Sequence, residues 1–194
     1  MRRPSLPYRI AALLSQPFWL IYRLDVRGTE NLPAGGFVLA ANHVSNFDPW
    51  PLGLPIYPRW LRFMAKSELF WWPLGPFIRS AGAFRVRRGE ADRDALETAV
   101  ELVREGEIVV MFPEGTRRRK GLRKKHRARP HTGAARIAWD AHAPIVPAAI
   151  KGTDRLARLG KQRVAYGAPI EATQNALETT ERVMDEIDRL YDTL

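Results

Sequence analysis

The stretch "GFVLAANHVSNFDPW", residues 36–50, decides how the rest of the chain is read. "FVLAA" (37–41) is a brief uninterrupted apolar run, which suits a strand buried on both faces. Polar residues then follow at once, and Pro49 closes the segment. Asn, Ser and Asp before a proline are turn residues, and Asp48 with Pro49 also matches a helix N-cap followed by proline at the first helical position. The same residues offer a second reading. A carboxylate near a histidine can bond one ring nitrogen and leave the other as a base. On a continuous helix residues five apart diverge, so His43 and Asp48 can meet only if the chain turns between them.

Working outward, strand-like runs alternate with helical ones. "LRFMA" (61–65), "IVVMF" (108–112) and "IVPAAI" (145–150) resemble the first run, and "VAYG" (164–167) is a weaker candidate. "ADRDALETAVELVREG" (91–106) carries apolar residues at 95, 96, 99, 100, 102 and 103 and stops at Gly106. "TGAARIAWDAHA" (132–143) opens on Thr132 as an N-cap. A last helix starts near Thr173 and places Leu177, Val183, Met184, Ile187, Leu190 and Tyr191 on one stripe. Strands separated by helices predict a single α/β domain over 25–194, with a central, mostly parallel or mixed sheet flanked by helices. No repeat or linker divides it. Both "NHVSNFD" and "PEGTRR" (113–118) follow apolar strands, where open α/β sheets carry their ligand-handling loops.

The chain has 194 residues, no cysteine and a formal net charge of +10. The absence of cysteine excludes disulfides and thiolate metal sites. The charge is concentrated in two places. "RRRKGLRKKHRAR" (117–129) holds nine Lys or Arg, and residues 1–24 add four arginines; neither segment contains an acid, which leaves −3 for the remainder. "IAALLSQPFWLIY" (10–22) has thirteen residues interrupted by Gln16 and Pro17, short of the roughly 20 needed to span a bilayer. No small-x-small cleavage site follows it. Residues 1–24 therefore read as an interfacial membrane-association segment, with Trp19 and Tyr22 at headgroup level and arginines toward an anionic surface. A helix covering a soluble core would use the same apolar face.

Two further loops carry candidate chemistry. In "FPEGTRR", Gly115 lets backbone approach a ligand and Arg117 presents a planar fork for a phosphate or carboxylate. "GAFRVRRG" (82–89) sets more arginine beside a glycine. Solvated loop charges would look the same unless Arg88 and Arg117 converge. No metal-binding pattern is present, and His126, His131 and His142 read as surface or helix-end residues. No nucleophile elbow of the G-x-S-x-G type occurs, so a histidine base here would act on a hydroxyl of the substrate.

At this point the residues resemble a family. "NHVSNFD" resembles the His-x4-Asp motif of the glycerolipid acyltransferases, the group that contains 1-acyl-glycerol-3-phosphate acyltransferase. "GAFRVRRG" is similar to the second motif through Gly82, Val86 and Arg88, "FPEGTR" to the third, and "PIVPAAI" (144–150) to the fourth. Four motifs in order cover roughly residues 25–170. The resemblance implies His43 as general base, oriented by Asp48. It implies that Arg88, Glu114, Gly115, Thr116 and Arg117 shape the site for a phosphorylated acceptor, and that Pro147 belongs to a block linked to the acyl side. Two departures concern the acceptor. Arg118 stands where the family often has Ser, and His131 where it commonly has Lys.

The expected activity is transfer of a fatty acyl group from an acyl thioester to the hydroxyl of a lysophospholipid, foremost 1-acyl-glycerol-3-phosphate, giving phosphatidic acid. Glycerol 3-phosphate or a neutral or glycosylated lipid are alternative acceptors. Passing an acyl group from thioester to oxygen ester is downhill, so no metal or other cofactor is expected, only acyl-CoA or an acyl carrier protein as co-substrate. The expected location is the cytoplasmic side of a membrane, held peripherally or monotopically against an anionic surface. A basic nucleic-acid-binding protein is the rival from another class, since a basic run attracts any polyanion. Residues 117–129 contain no Phe, Tyr or Trp and no zinc-finger or zipper pattern, so nucleic acid is not an expected partner.

Overall fold

The computed structural model describes residues 5–72, 74–86, 93–115 and 130–194. Seven strands form one mixed sheet: β1 (Asp25–Arg27), β2 (Phe37–Ala41), β3 (Leu61–Lys66), β4 (Ala83–Val86), β5 (Ile108–Met111), β6 (Ile145–Lys151) and β7 (Arg163–Tyr166). Their order is β1-β7-β6-β2-β5-β3-β4. Every neighbouring pair is parallel except β6 and β7. The expected single α/β domain with a mixed sheet is the fold observed. Among the described helices are α1 (Leu6–Leu14), α2 (Gln16–Tyr22), α3 (Pro49–Gly53), α4 (Leu74–Ser80), α5 (Arg93–Arg104), α6 (Gly133–Ala141) and α7 (Ala176–Thr193).

β2 lies at the centre because all five of its residues are buried and can pack on both faces. Alternation divides them between two cores. Val38 and Ala40 join residues of α5, α6 and α7 on one face. Phe37, Leu39 and Ala41 join Leu52 of α3, with Val164 and Tyr166, on the other. The five parallel strands β6, β2, β5, β3 and β4 thus end along one edge of the sheet.

Pro147 lies inside β6, where proline would normally break a ladder. It is accommodated because pairing with β7 begins only at Ala148, opposite Tyr166. The Pro147 carbonyl still accepts from the Gly167 amide at 2.8 Å.

Two strands escaped the sequence reading. β1 is three residues long and pairs only with β7 at the rim. The Asp25 carboxylate accepts from Lys161 Nζ at 3.0 Å, and that bond, with the nearby Arg27, holds its pKa below the usual value. β4 was hidden by its arginine: Ala83 and Phe84 are buried, while Arg85 is exposed on an edge strand. Gly82 admits it to the sheet, because a Cβ there would meet the Leu61 carbonyl at 2.1 Å, and its φ is +105°.

Other elements differ at their ends. β5 stops at Met111, so Phe112 has left the strand. α7 begins at Ala176, three residues beyond the expected start, and Asn175 caps it by accepting from the Glu178 amide. Leu177 is exposed and is not part of the buried stripe; Thr179 and Thr180 take that place. They can be buried because Thr180 donates to the Ala176 carbonyl and Thr179 bonds Thr173. Thr132 precedes α6 as expected, but its side chain makes no capping bond.

Residues 6–22 form two short helices that break at Ser15, whose hydroxyl turns back to the Ala12 carbonyl. α1 rests on the domain: Ser5 donates to the Ser80 carbonyl at 2.9 Å, and Ala12 is buried. The Tyr8 ring lies 6.0 Å from that of Trp60. Its other side leaves Leu6, Ile10, Leu13 and Leu14 exposed, and α2 likewise exposes Leu20 and Ile21. No described helix is long and apolar enough to cross a membrane.

Candidate active site

Sheet register brings the two motif loops together. β2 pairs with β5 so that Ala40 faces Met111. The same count carried three residues further sets His43 level with Glu114. Parallel strands therefore deliver "NHV" and "PEG" side by side from positions about seventy residues apart.

At the end of β2, the buried Asn42 side chain replaces a peptide group. Its amide donates to the Ile150 carbonyl at 2.9 Å, and its oxygen accepts from the Ile150 amide at 2.8 Å. This prolongs the ladder between β2 and β6 by one residue and fixes where His43 begins. The chain then turns, with the Asp48 amide donating to the Ser45 carbonyl. The turn brings Asp48 back to His43, whose Nδ1 lies 2.7 Å from Asp48 Oδ2.

Asp48 is wholly buried and precedes α3, but its carboxylate makes no bond to that helix's amides. It points backward. Oδ2 accepts from the Val44 amide at 2.7 Å and the Ser45 amide at 2.9 Å as well as facing His43. Oδ1 accepts from the Thr153 hydroxyl at 2.6 Å. The capping interpretation of Asp48 therefore fails on geometry, although Pro49 does start the helix. The proline and a 2.7 Å bond from the Tyr166 hydroxyl to the Leu52 carbonyl hold α3 in place. Burial pushes that hydroxyl's pKa far up, so it remains a donor.

A carboxylate oxygen accepts, so the contact takes up the Nδ1 proton of His43 and leaves Nε2 as the ring nitrogen outside the pair. The ring plane is set by Phe112, stacked at 4.2 Å between centroids and 21° between planes. The His43 side chain remains 18% exposed while Asp48 is shut off from solvent. A partly exposed imidazole held by a buried carboxylate is an arrangement suited to taking a proton from a hydroxyl.

Gly115 stands three residues past Phe112 in a tight turn closed by its own amide on the Phe112 carbonyl. Its φ is +67°, and a Cβ there would lie 2.3 Å from His131 Nε2. The His131 amide donates to the Pro113 carbonyl at 2.8 Å. His131, read from sequence as a surface residue, is exposed yet packs on the third motif's turn. Glu114 is half-buried in that turn. Arg88, Thr116 and Arg117, together with the basic run 117–129, lie outside the described residues. No group of three or more potential metal ligands occurs among the described residues.

Sequence reasoning missed Thr153 and Phe112 as neighbours of the pair. Thr153 is 105 residues from Asp48 along the chain. The available signal was its place just after an apolar strand, the position that had singled out the other two loops.

Comparison with known proteins agrees with this layout. The family model described as Acyltransferase matches residues 23–151. The chain is 38% identical over 168 residues to a 1-acyl-sn-glycerol-3-phosphate acyltransferase of Bacillus subtilis, covering 82% of this chain and 80% of that protein. It is 31% identical to the chloroplastic 1-acyl-sn-glycerol-3-phosphate acyltransferase BAT2 of Brassica napus, spanning 79% of this chain but 44% of that longer protein. The crystal structure of the 1-acyl-sn-glycerophosphate acyltransferase PlsC from Thermotoga maritima superposes with a TM-score of 0.70 at 27% identity. That match covers 94% of this chain and 79% of the other. By its motifs, its fold and these relatives, the chain belongs to the Acyltransferase family and is an acyltransferase.

Proposed function

We propose that the protein moves a fatty acyl group from an acyl thioester to the free hydroxyl of 1-acyl-glycerol-3-phosphate, forming phosphatidic acid. The observation that carries this reading is the buried Asp48 at 2.7 Å from Nδ1 of a partly exposed His43. The relatives' names support the acceptor. Nε2 of His43 takes the hydroxyl proton as the oxygen attacks the thioester carbonyl. The tetrahedral intermediate then collapses, and the proton passes to the departing thiolate. Base catalysis of this kind typically contributes about 10²–10⁴ in rate. The Gly115 amide closes its own turn and is not available to the oxyanion.

Arg88 and Arg117, with Glu114, Gly115 and Thr116 in the adjoining loop, are assigned to the acceptor's phosphate, for which a guanidinium fork is suited. Residues 1–24 serve as the interfacial segment, facing the cytoplasmic side of an anionic membrane. The exposed leucines and isoleucines of α1 and α2 support this. So do the exposed Phe47 and Trp50 on either side of Asp48, which give a lipid acceptor apolar surface next to His43. The donor is acyl-CoA or an acyl carrier protein, with no other cofactor.

The test is a turnover screen of purified protein. Both donors are offered against lysophosphatidate, glycerol 3-phosphate and neutral or glycosylated acceptors, with products read by mass. Lysophosphatidate should be acylated, and His43→Ala should abolish the reaction in a folded protein. Arg88→Ala or Arg117→Ala should raise KM for the phosphorylated acceptor more than for the thioester. Substantial turnover by His43→Ala would remove the base from the mechanism, and preference for an unphosphorylated acceptor would remove the arginines' role.

A further inference from the structure

We propose that Thr153 is a positioning residue for acyl transfer, acting through Asp48 on His43. This inference rests on the base assignment made above. The Asp48 carboxylate receives four donors, and they are unequally divided. His43 Nδ1 and the Val44 and Ser45 amides all converge on Oδ2, whereas Oδ1 receives Thr153 Oγ1 at 2.6 Å.

The division matters because rotation about the Asp Cβ–Cγ bond is soft, with no sharp rotamer to hold the carboxylate plane. Donors gathered on one oxygen leave the plane free to pivot about it. A donor on the second oxygen fixes the plane, and with it the direction of the lone pair that Oδ2 offers to His43. Val44 and Ser45 cannot supply this restraint, since they move with the same turn as Asp48. Thr153 belongs to a different element. It stands two residues past the end of β6, and β6 is tied to β2 by the buried Asn42–Ile150 pair. The threonine is 2% exposed and Asp48 is fully buried, so water does not compete for the bond. The Thr153 hydroxyl thereby references the His43–Asp48 turn to the rigid end of the central sheet. Phe112, stacked on the ring from the loop that follows β5, supplies the matching restraint on the histidine.

The variant that isolates the bond is Thr153→Val, which keeps the branched shape and removes the hydroxyl. Outer partners that orient metal-ligating histidines typically cost about 10–100-fold in activity when lost, and a partner that orients this carboxylate should act on a similar scale. In steady-state assays with the thioester donor and lysophosphatidate, kcat should fall at least about tenfold with both KM values nearly unchanged. Thr153→Ser, which restores the hydroxyl, should recover most of that loss. In an Asp48→Asn background, Thr153→Val should produce little further decrease, because the threonine acts only through that carboxylate.

Thermal melts accompany each assay. Should Thr153→Val not melt cooperatively, Thr153→Ala takes its place; if neither folds while Thr153→Ser does, the residue is structural and the proposal is overturned. A wild-type kcat for Thr153→Val overturns it too. So does equal loss in the Ser and Val variants, or a full additional loss in the Asp48→Asn background. His43→Ala is assayed alongside. An active His43→Ala protein sinks the base reading itself, whereas an inactive one beside a fully active Thr153→Val sinks only the role of Thr153.

Discussion

Asp48 shows how one buried carboxylate can exclude an alternative role. Had it capped α3, asparagine would replace it at small cost. Instead each of its oxygens is met by donors, from the Val44 and Ser45 amides and His43 on one side and Thr153 on the other. In Asp48→Asn the amide can keep its oxygen toward His43 only by turning its nitrogen to Thr153, whose hydroxyl must then accept instead of donate. In any orientation the charge that stabilises a protonated His43 disappears. We expect kcat to fall by about 10³–10⁴, the scale seen when the carboxylate of such a pair is replaced by an amide. A stopped thioester assay on protein with a native-like circular dichroism spectrum measures it. Retention of more than a tenth of wild-type kcat would contradict this account.

At the scale of elements, the active-site loops depend on the ends of parallel strands staying aligned. Asn42 is the joint: it both donates to and accepts from Ile150, where β2 has run out of backbone pairing. Asn42→Asp keeps the shape and the acceptor but loses the donor, placing a buried charge beside the Ile150 carbonyl. An orphaned buried group costs about 1–3 kcal/mol, and more when charged. We expect the urea midpoint to drop by an amount equivalent to at least about 2 kcal/mol at neutral pH, with partial recovery on acidification as the side chain is protonated. Here the folded state disfavours the charged form, so stability returns as pH falls. A variant as stable as wild type at neutral pH would show that the joint carries no strain.

For the whole molecule, the question is how a protein with a near-neutral body meets a lipid substrate. α1 is packed against the domain through Ser5, Tyr8 and Ala12, so removing residues 1–22 would uncover the core as well as the proposed membrane face. Substitution at the most exposed positions is the cleaner test. Leu13 and Leu20 are 72% and 82% exposed. Leu13→Ser with Leu20→Ser should weaken binding to anionic vesicles, leaving the melting temperature unchanged. The salt-sensitive part of binding should remain, since each Lys or Arg near such a surface contributes about 1 kcal/mol within a Debye length of roughly 8–10 Å. Neutralising Arg123, Lys124, Lys125 and Arg127 should reduce that part alone. If this four-site variant binds vesicles normally but shows a raised KM for the donor with a detergent-soluble acceptor, the run serves the donor's phosphates instead.

Local pattern determined a great deal by itself. Uninterrupted apolar runs marked β2, β5 and β6, because strands buried on both faces must be apolar throughout, β3 was recognised despite Arg62, and alternation with helical stretches implied the α/β class. Turn residues between His43 and Asp48 were enough to expect the two side chains on one loop. Rim elements were illegible for the complementary reason: β1 and β4 are short, and edge positions tolerate charged residues such as Arg85. The helix-capping and hydrogen-bonding alternatives for Asp48 were locally equivalent, since either satisfies an aspartate before a proline. Only the tertiary structure separated them, by setting the end of β6 beside the end of β2. Thr153 could then reach across 105 residues to the second carboxylate oxygen, and Phe112 could arrive from the loop that follows β5 to lie on the ring. Spacing along the chain encodes a turn; a contact made across three strands is encoded in sheet order and register, which no single stretch of residues carries.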